Sequence, residues 1–285
     1  MIIDFHTHPM MIKELQENNP DLSRAVQEVF GLKFPAQPLS LFLLEMKEAQ
    51  VERVVLLPLD CTTRHHCIIV SNEQVAELCD KHPEFIGFAS VDPGDAAAEK
   101  KLEYAVKGLG LRGLKLDPAL QGFDINQPSA NALYRLCVEL DIPLLIHCGL
   151  SWAPPGLARY AQPLLLEEVA QALPTLRIVI AHFAWPWVDE AVMLALKYPH
   201  VYLDTALLYS GTPANTYQDI LINKVGLSVI ERSLRDKIVF GSNYPRVDVR
   251  RSVRGIYALN LSPELRQNIL ADNACRILKI EGRAA

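Results

Sequence analysis

The sequence predicts an α/β protein folded as one closed (β/α)8 barrel, the TIM-barrel architecture. Eight short apolar segments, rich in β-branched and aromatic residues, are separated by segments with helical spacing. A strand followed each time by a helix implies a parallel sheet. Eight such units in 285 residues favour a closed barrel over an open doubly wound sheet. No glycine-rich dinucleotide fingerprint follows the first strand, which argues against a Rossmann fold.

The eight predicted strands are apolar segments bounded by Pro, Gly or Asp: Ile2–Phe5, Arg53–Leu57, Phe85–Ala89, Leu111–Leu116, Pro143–Ile146, Arg177–Ala181, Val201–Leu203 and Lys237–Phe240. The clearest predicted helices show the periodicity of one buried face: Asn72–Lys81, Ala96–Lys107, Ser129–Leu140, Leu164–Ala172, Trp187–Lys197 and Tyr217–Ser233. Ser262 before Pro263 is typical of a helix start, so a last helix is expected there.

Residues 9 to 38 interrupt this alternation directly after the first strand, with four prolines around a short helical piece at Leu22–Phe30. We therefore expect one domain, residues 1–285, with residues 9–38 as a loop insertion. Loops after barrel strands lie over the active site, so the insertion is expected to form part of the pocket wall. A surface excursion without function is equally compatible with the sequence.

Composition excludes several classes of partner. The net charge is -5 and the Lys and Arg residues are scattered, which gives no electrostatic basis for binding nucleic acid or an anionic membrane. A small neutral or anionic substrate is expected instead. The six cysteines contain no C-x-x-C pair, the chain begins without a signal-peptide pattern, and no apolar segment is long enough for a transmembrane helix. These features predict a cytoplasmic protein.

Histidines follow three of the predicted strands. The first strand runs into His6 and His8, the fifth into His147 and the sixth into His182. Catalytic groups of a (β/α)8 barrel lie at the C-terminal ends of its strands. His6 and His8 are two residues apart and therefore share one face, where two imidazoles can bind one ion. A single histidine after a strand is more often structural, so the prediction of a metal site depends on the coincidence of all four positions.

The chain resembles the amidohydrolase superfamily, in particular the amidohydrolase 2 branch of aminocarboxymuconate-semialdehyde decarboxylase-like enzymes. The resemblance is carried, in the order of the chain, by the segments IDFHTH (3–8), GLKL (113–116), LIHCG (145–149), IAH (180–182) and FGSNYP (240–245). It implies that His6, His8 and His147 are metal ligands and that His182 is a catalytic histidine. The metal expected is Zn2+, with Mn2+ and Fe2+ as alternatives.

Asn243 departs from that family, which has Asp at this position in contact with the metal. An Asn carbonyl oxygen can still ligate, but the amide is neutral and accepts no proton as a base. A carboxylate for catalysis is then expected from another strand end, and Asp204 is the nearest by chain order. Asp60 and Asp117 are further candidates, although the commoner role of Asp after a strand is to cap a turn or helix.

Four residues are predicted to bind substrate. Arg64 and Arg246 suit a carboxylate, because a guanidinium can bind it in bidentate fashion. Lys115 corresponds to a lysine on the fourth strand of the family and is interpreted as a pocket or structural residue. Trp152 follows the fifth strand and is expected in an aromatic pocket wall.

The sequence favours metal-dependent hydrolysis of a small organic substrate by activated water, with His182, Asn243 and Asp204 as catalytic residues. A substrate that bears a carboxylate is expected. The alternative is a metal-dependent non-oxidative decarboxylase or hydratase of an unsaturated or aromatic carboxylic acid. A third interpretation is a non-catalytic barrel in which Asn243 marks lost activity. Barrels of this type are often dimeric, so a homodimer is a candidate assembly.

Overall fold

Strands and helices alternate along nearly the whole chain, as the sequence predicts. The computed structural model describes residues 1–17, 19–206 and 211–281. Its strands, in chain order, are β1 (Ile3–Thr7), β2 (Arg53–Leu56), β3 (Leu59–Cys61), β4 (Cys67–Ile69), β5 (Phe85–Gly87), β6 (Leu114–Leu116), β7 (Leu144–Ile146), β8 (Ile178–Ile180), β9 (Val201–Asp204) and β10 (Ile238–Val239).

Eight of these described strands close into a parallel barrel. One sheet has the order β1-β2-β5 and the other runs from β6 to β10 in sequence order. The two sheets meet at both edges, where Ala89 pairs with Leu114 and Thr7 pairs with Tyr244 in parallel bridges. At the second edge the amide of His8 donates to the carbonyl of Tyr244 at 2.8 Å. The prediction of a (β/α)8 barrel is confirmed.

The helices lie between the barrel strands. The α-helices are Lys13–Gln16, Pro20–Glu28, Leu39–Glu48, Thr62–His65, Asn72–Lys81, Ala98–Lys107, Pro118–Gln121, Pro128–Glu139, Glu167–Ala172, Val188–Lys197, Pro213–Tyr217, Leu227–Val229, Val249–Ala258, Pro263–Gln267 and Asn273–Leu278. Short 3₁₀ turns cover Pro9–Met11, Ala158–Tyr160, Pro163–Leu166 and Ala181–Ala184, and π-helical stretches cover Gln218–Val225, Ile230–Leu234 and Asn268–Asp272.

Local sequence signals explain several helix starts. Ser71 and Gln74 form a reciprocal capping box at the helix Asn72–Lys81, whose bounds match the prediction. The hydroxyl of Ser262 accepts from the amide of Leu265, as expected for an N-cap before Pro263. None of the helices in the described parts of the chain has the length and apolar character needed to span a membrane.

Two apolar layers hold the barrel together. Residues that face the barrel interior form one cluster, which includes Phe5, Phe88, Leu145 and Val179. A larger cluster packs the outer faces of the strands against the helices. Interior positions near the carboxyl ends of the strands are polar instead, and this change places the functional groups at one mouth of the barrel.

The structure adds a β-hairpin that the sequence analysis missed. Strands β3 and β4 pair antiparallel after β2, with Cys61 opposite Cys67. Three-residue strands are too short to produce a recognisable alternation, and the segment between them is rich in polar residues. The cysteine and histidine residues of this segment belong to the hairpin and its turn.

The segment after β1 folds back over the mouth of the barrel. A bridge between Ile12 and Gln37 joins its two ends. Between them lies the helix Pro20–Glu28, and Phe30 then packs edge-on against the ring of His8, with 5.2 Å between the ring centroids.

Candidate metal centre

A bulge in β1 turns His6 into the barrel. Asp4 pairs with Val54 but Thr7 pairs with Leu56, so β1 has one more residue than β2 over this stretch. The extra residue allows Phe5 to fill the interior core while His6 and His8 also reach the mouth. On a regular strand, His6 would share a face with Asp4 and be opposite to Phe5. Bulges are frequent beside active sites because they re-aim a side chain in this way.

His6 and His8 face each other through nitrogens that both carry lone pairs. Their Nε2 atoms are 3.2 Å apart. Nδ1 of His8 lies 3.1 Å from the carbonyl oxygen of Leu57, which can only accept, so this nitrogen carries the proton. Nδ1 of His6 lies 2.7 Å from a carboxylate oxygen of Asp204, which assigns its proton in the same way. The two Nε2 atoms are then both acceptors and need a cation between or beside them.

His147 and His182 form a second pair on the other side. Nδ1 of His182 lies 2.5 Å from the carbonyl oxygen of Ala206, so its Nε2 carries a lone pair. Nδ1 of His147 lies 3.1 Å from that Nε2 and donates to it. Nε2 of His147 is therefore the acceptor nitrogen of its ring, and it is buried without a hydrogen-bond partner. Its lone pair is available to a ligand.

Burial keeps all four imidazoles neutral. It holds the pKa values of His6, His8 and His182 well below the ordinary histidine value, and that of His147 at about 3. Neutral imidazole is the form that binds metal, and protons do not compete with it at neutral pH. Facing lone pairs, an orphaned buried nitrogen and neutral rings fit a divalent cation. The donor set thus suits the predicted ion.

The cluster of possible metal-binding atoms that the structure forms differs from the predicted ligand set, with which it shares only His6. Within the described part of the chain, donor atoms of His6, His182 and Asp204 lie within 4.8 Å of one another. Both Asp204 oxygens are already engaged: one with His6, the other with the amides of His182 and Ala206 at 2.6 and 3.1 Å. Asp204 therefore holds the ring of His6 and the backbone of His182 in place by hydrogen bonds. Its predicted part in catalysis, like ligation by His6, His8 and His147, stays a prediction.

The turn that carries His182 has a strained backbone. His182, Phe183 and Ala184 all have positive φ angles, between 46° and 61°, which L-residues adopt at an energetic cost. The carboxylate of Asp204 holds the first of these amides. Gly149 packs directly under the turn, since a Cβ there would lie 2.6 Å from the carbonyl carbon of Ala184. Strain held in this way indicates that the direction of the His182 ring matters.

Asn243 lies at the mouth beside the histidines, as predicted. It is 6% exposed and has a φ of 64°, and its backbone N–H donates to the backbone carbonyl of His6 at 3.0 Å. Its side chain lines the same small cavity as His8, His147 and His182. Asparagine tolerates this left-handed backbone conformation better than most residues.

The cavity at the mouth measures about 390 Å³, counting the part open to solvent. It is lined by side chains from five strand ends and from the segment after β1: His8, Phe30, Lys115, Asp117, His147, Leu150, Ser151, Trp152, Ala153, His182, Asn243 and Arg246. Three of the four predicted substrate-binding residues, Lys115, Trp152 and Arg246, are in this set. Arg246 also donates to the carbonyl of Phe30 at 2.5 Å and stacks on its ring.

Arg64 is the one of the four predicted substrate-binding residues that does not line the cavity. It belongs to the short helix Thr62–His65 after the hairpin strand β3, and its guanidinium packs over Gly122. The unforeseen hairpin carries Arg64 away from the strand end, and its part in substrate binding stays a prediction. Asp60 also has a local role, since its carboxylate accepts from the amide of Thr62 at 3.0 Å.

Asp117 is the site residue that sequence reasoning undervalued. It does cap the helix Pro118–Gln121, with Oδ1 accepting from Leu120 at 3.0 Å. Yet its other oxygen lies 3.8 Å from Nδ1 of His147, and the side chain lines the cavity. Burial raises the pKa of this carboxyl above its ordinary value. The sequence did contain a signal for this position. Asp117 is two residues after Lys115, and residues two apart on a strand have side chains on the same face.

Solved structures of several proteins share this architecture. An uncharacterised TIM-barrel protein from Bordetella bronchiseptica is 22% identical, with a TM-score of 0.73 over 98% of both chains. 4-Oxalomesaconate hydratase from Rhodopseudomonas palustris is 22% identical, with a TM-score of 0.70 over 98% of this chain and 96% of that one.

A third similar structure, 5-carboxyvanillate decarboxylase from Novosphingobium aromaticivorans with bound manganese and 3-methoxy-4-hydroxy-5-nitrobenzoic acid, is 16% identical. Its TM-score is 0.64 over 98% of this chain and 97% of that one. At these identities the likeness establishes the fold. No curated protein matches the sequence. The family described as Amidohydrolase matches residues 3–280, and the chain therefore belongs to the amidohydrolase family.

Proposed function

We propose that this protein is a metal-dependent lyase that acts on a small unsaturated or aromatic carboxylic acid, by non-oxidative decarboxylation or by hydration. The observation that carries the proposal is the neutral Asn243 at the mouth, combined with the full engagement of Asp204. A hydrolase that activates water needs a base beside the metal to take the proton. Neither residue offers one, and decarboxylation needs none, so the lyase alternative, above all decarboxylation, is preferred to the hydrolase favoured from sequence.

His6, His8 and His147 would hold the ion through their Nε2 atoms, and the amide oxygen of Asn243 is a further candidate ligand. Three imidazoles and an amide, without a carboxylate, favour Zn2+ over Mn2+, which prefers oxygen-rich sites. When bound, such an ion acts as a Lewis acid that polarises a carboxylate or carbonyl oxygen of the substrate.

The protein's own groups can move the proton that decarboxylation requires. Loss of CO2 from R–COO⁻ leaves a carbanion equivalent that takes one proton to give R–H. His147 and His182 share a proton along a 3.1 Å contact. Asp117, 3.8 Å from His147 and with a raised pKa, can replenish it. Asp204 holds His6 and the turn of His182 in place, which is a positioning role.

Similar solved structures support the same class of chemistry. They include 4-oxalomesaconate hydratase and 5-carboxyvanillate decarboxylase, and the structure of the decarboxylase contains manganese.

The test is a panel assay on metal-loaded protein whose metal has been identified by elemental analysis. Hydroxybenzoic acids and unsaturated dicarboxylic acids are compared with esters and lactones of similar size. CO2 release or water addition is expected on an acid, and both should disappear on chelation and return with Zn2+.

The His182→Asn variant should retain metal but lose at least 100-fold in turnover, since a single acid–base group contributes about 10²–10⁴. The His82→Ala variant, at a helix end away from the cavity, serves as the matched control. Turnover of esters or lactones alone would overturn the lyase proposal in favour of hydrolysis. Absence of bound metal and of all turnover would favour a non-catalytic barrel.

A further inference from the structure

Lys115 is a buried cation in the barrel without a hydrogen-bonding partner. It lies in β6 in register with Leu145, which fills the barrel interior, so its side chain is on the inward face. It is 1% exposed, and its Nζ atom has no hydrogen-bond partner. The side chain contributes to the wall of the cavity that His147 and Asn243 also line.

A buried lysine ammonium without hydrogen-bond partners destabilises the folded protein unless another group accepts its hydrogen bonds. An ammonium group offers three donors, and burying a charge without partners costs several kcal/mol. Two carboxylates lie near enough to favour the charged form, Asp117 and Asp204. Neither forms a salt bridge with Lys115, because their oxygens are engaged by other groups or face His147.

Another partly buried lysine of this chain shows what a structural role looks like. Nζ of Lys237 donates to the backbone carbonyls of Tyr198 and Pro199. It therefore binds two chain segments together with its donors satisfied. Lys115 has no such carbonyls, although it is much more deeply buried, so a purely structural role leaves its charge unexplained.

We propose that Nζ of Lys115 is the oxyanion subsite of the cavity and binds the carboxylate of the substrate. The inference rests on the proposed lyase function and deepens it, since it selects monocarboxylate or dicarboxylate substrates over neutral esters, amides and lactones. The carboxylate supplies acceptors for the ammonium group, which has no hydrogen-bond partner of its own. The subsite lies deeper in the barrel than His147. Lys115 pairs with Leu145, and His147 is two residues closer to the mouth than Leu145.

The inference is tested by binding, which does not require turnover. Benzoate and its neutral counterpart benzamide are titrated into the metal-loaded protein by calorimetry, for wild type, Lys115→Met and Lys115→Arg. Lys115→Met should weaken benzoate binding by about 10- to 100-fold, the range expected for a lost charge-assisted hydrogen bond, and leave benzamide unchanged. Lys115→Arg should restore part of the affinity. Lys237→Met is the control for loss of a lysine elsewhere.

A second measurement covers the case in which Lys115→Met does not fold. In a crystal of the wild-type protein soaked with 4-bromobenzoate, the carboxylate should lie within hydrogen-bond distance of Nζ, and the bromine signal fixes its orientation. A carboxylate that avoids Lys115, or equal benzoate affinity in folded Lys115→Met, overturns the subsite. Inorganic phosphate that binds Lys115 more tightly than benzoate overturns its assignment to carboxylates.

The two proposals fail separately. Lys115-dependent benzoate binding in a protein that turns over only esters would refute the lyase and keep the subsite. Decarboxylation that persists in Lys115→Met with unchanged KM would refute the subsite and keep the lyase.

Discussion

Oδ2 of Asp204 lies 2.7 Å from Nδ1 of His6, and both side chains are fully buried. The other oxygen of the same carboxylate accepts from the amide of His182. One residue on β9 thus fixes the tautomer of a histidine on β1 and the backbone turn that carries a histidine after β8. Carboxylates that orient ligand histidines in this way typically affect metal affinity.

Replacing Asp204 with Asn should therefore weaken metal binding by about 10- to 100-fold. The amide oxygen can still accept from the amide of His182, but the charge that holds the proton on Nδ1 of His6 is lost. Competition against a chromophoric chelator measures the affinity. Asp189→Asn, which removes an exposed carboxylate paired with Lys224, is the control. Unchanged affinity in Asp204→Asn would show that Asp204 does not orient His6.

Removing the ring of His147 should abolish stabilisation by metal. For the wild-type protein, Zn2+ at 100 times its dissociation constant should raise the free energy of unfolding by about 2.7 kcal/mol. His147→Ala should show little of this increase, because the orphaned Nε2 atom is gone. Thermal and urea unfolding with and without Zn2+ make the comparison, with His82→Ala as control. A full metal response in His147→Ala would remove this residue from the ligand set.

Introducing a carboxylate with Asn243→Asp should tighten metal binding and slow the turnover of carboxylic acids. The new anion lies in the same cavity as the substrate's carboxylate and repels it, while it also lowers the effective charge of the ion. Values of kcat and KM are measured on the acid and ester panels. Asn223→Asp, an exposed change, serves as control. Faster turnover of esters in Asn243→Asp would identify the wild-type protein as an impaired hydrolase.

Asp4 makes stability depend on pH. Burial raises the pKa of its carboxyl from 3.8 to about 7, and one of its oxygens has no partner. The unfolded chain loses this proton near pH 4 whereas the folded protein keeps it, so the group destabilises the fold as pH rises towards 7. Asp4→Asn removes that cost.

The stability advantage of Asp4→Asn over wild type should grow by about 1.4 kcal/mol per pH unit between pH 5 and 7 and then level off. Urea unfolding of both proteins from pH 5 to 8.5 measures it. A difference that is independent of pH would show that Asp4 is ionised throughout this range in the folded protein.

Gly149→Ala should be much more harmful than an alanine at another glycine of similar backbone conformation. Gly149 has a φ of 92° and its missing Cβ would collide with the turn of His182, whereas Gly110 has a φ of 72° and open space around it. Gly110→Ala isolates the backbone cost, about 1–2 kcal/mol. Gly149→Ala should exceed this and reduce kcat through displacement of His182. Equal unfolding free energies for the two variants would argue against the close contact.

The barrel could be predicted from the sequence because the same pattern, a short apolar strand followed by a helix, occurs eight times. Each of the eight predicted strands contains or overlaps an observed barrel strand, and helix Asn72–Lys81 has the predicted bounds. Apolar strands buried on both faces leave a local pattern that needs no tertiary information. The hairpin Leu59–Ile69 was missed because its strands are short and its turn is polar, so the position of Arg64 outside the cavity was not foreseen.

The cavity was only partly predictable, since its chemistry depends on contacts distant in sequence. Position after a strand placed His147, His182, Lys115 and Asn243 correctly at the mouth. The engagement of Asp204 by His6 joins residues 198 positions apart and leaves no local signal. The tautomer of His182 likewise depends on its hydrogen bond to the backbone carbonyl of Ala206. A contact with a backbone carbonyl cannot be recognised from the residue types in the sequence.

The bulge in β1 has a consequence for transplanting this centre into another scaffold. Grafting the sequence Phe-His-Thr-His onto a regular strand would not reproduce the site, because the phenylalanine and the first histidine would then lie on opposite faces of the sheet. Deleting Phe5 or His6 would remove the bulge and leave only one inward side chain between Asp4 and Thr7, either the core residue or the histidine. The unit to transfer is therefore the bulge in the backbone together with the motif it carries.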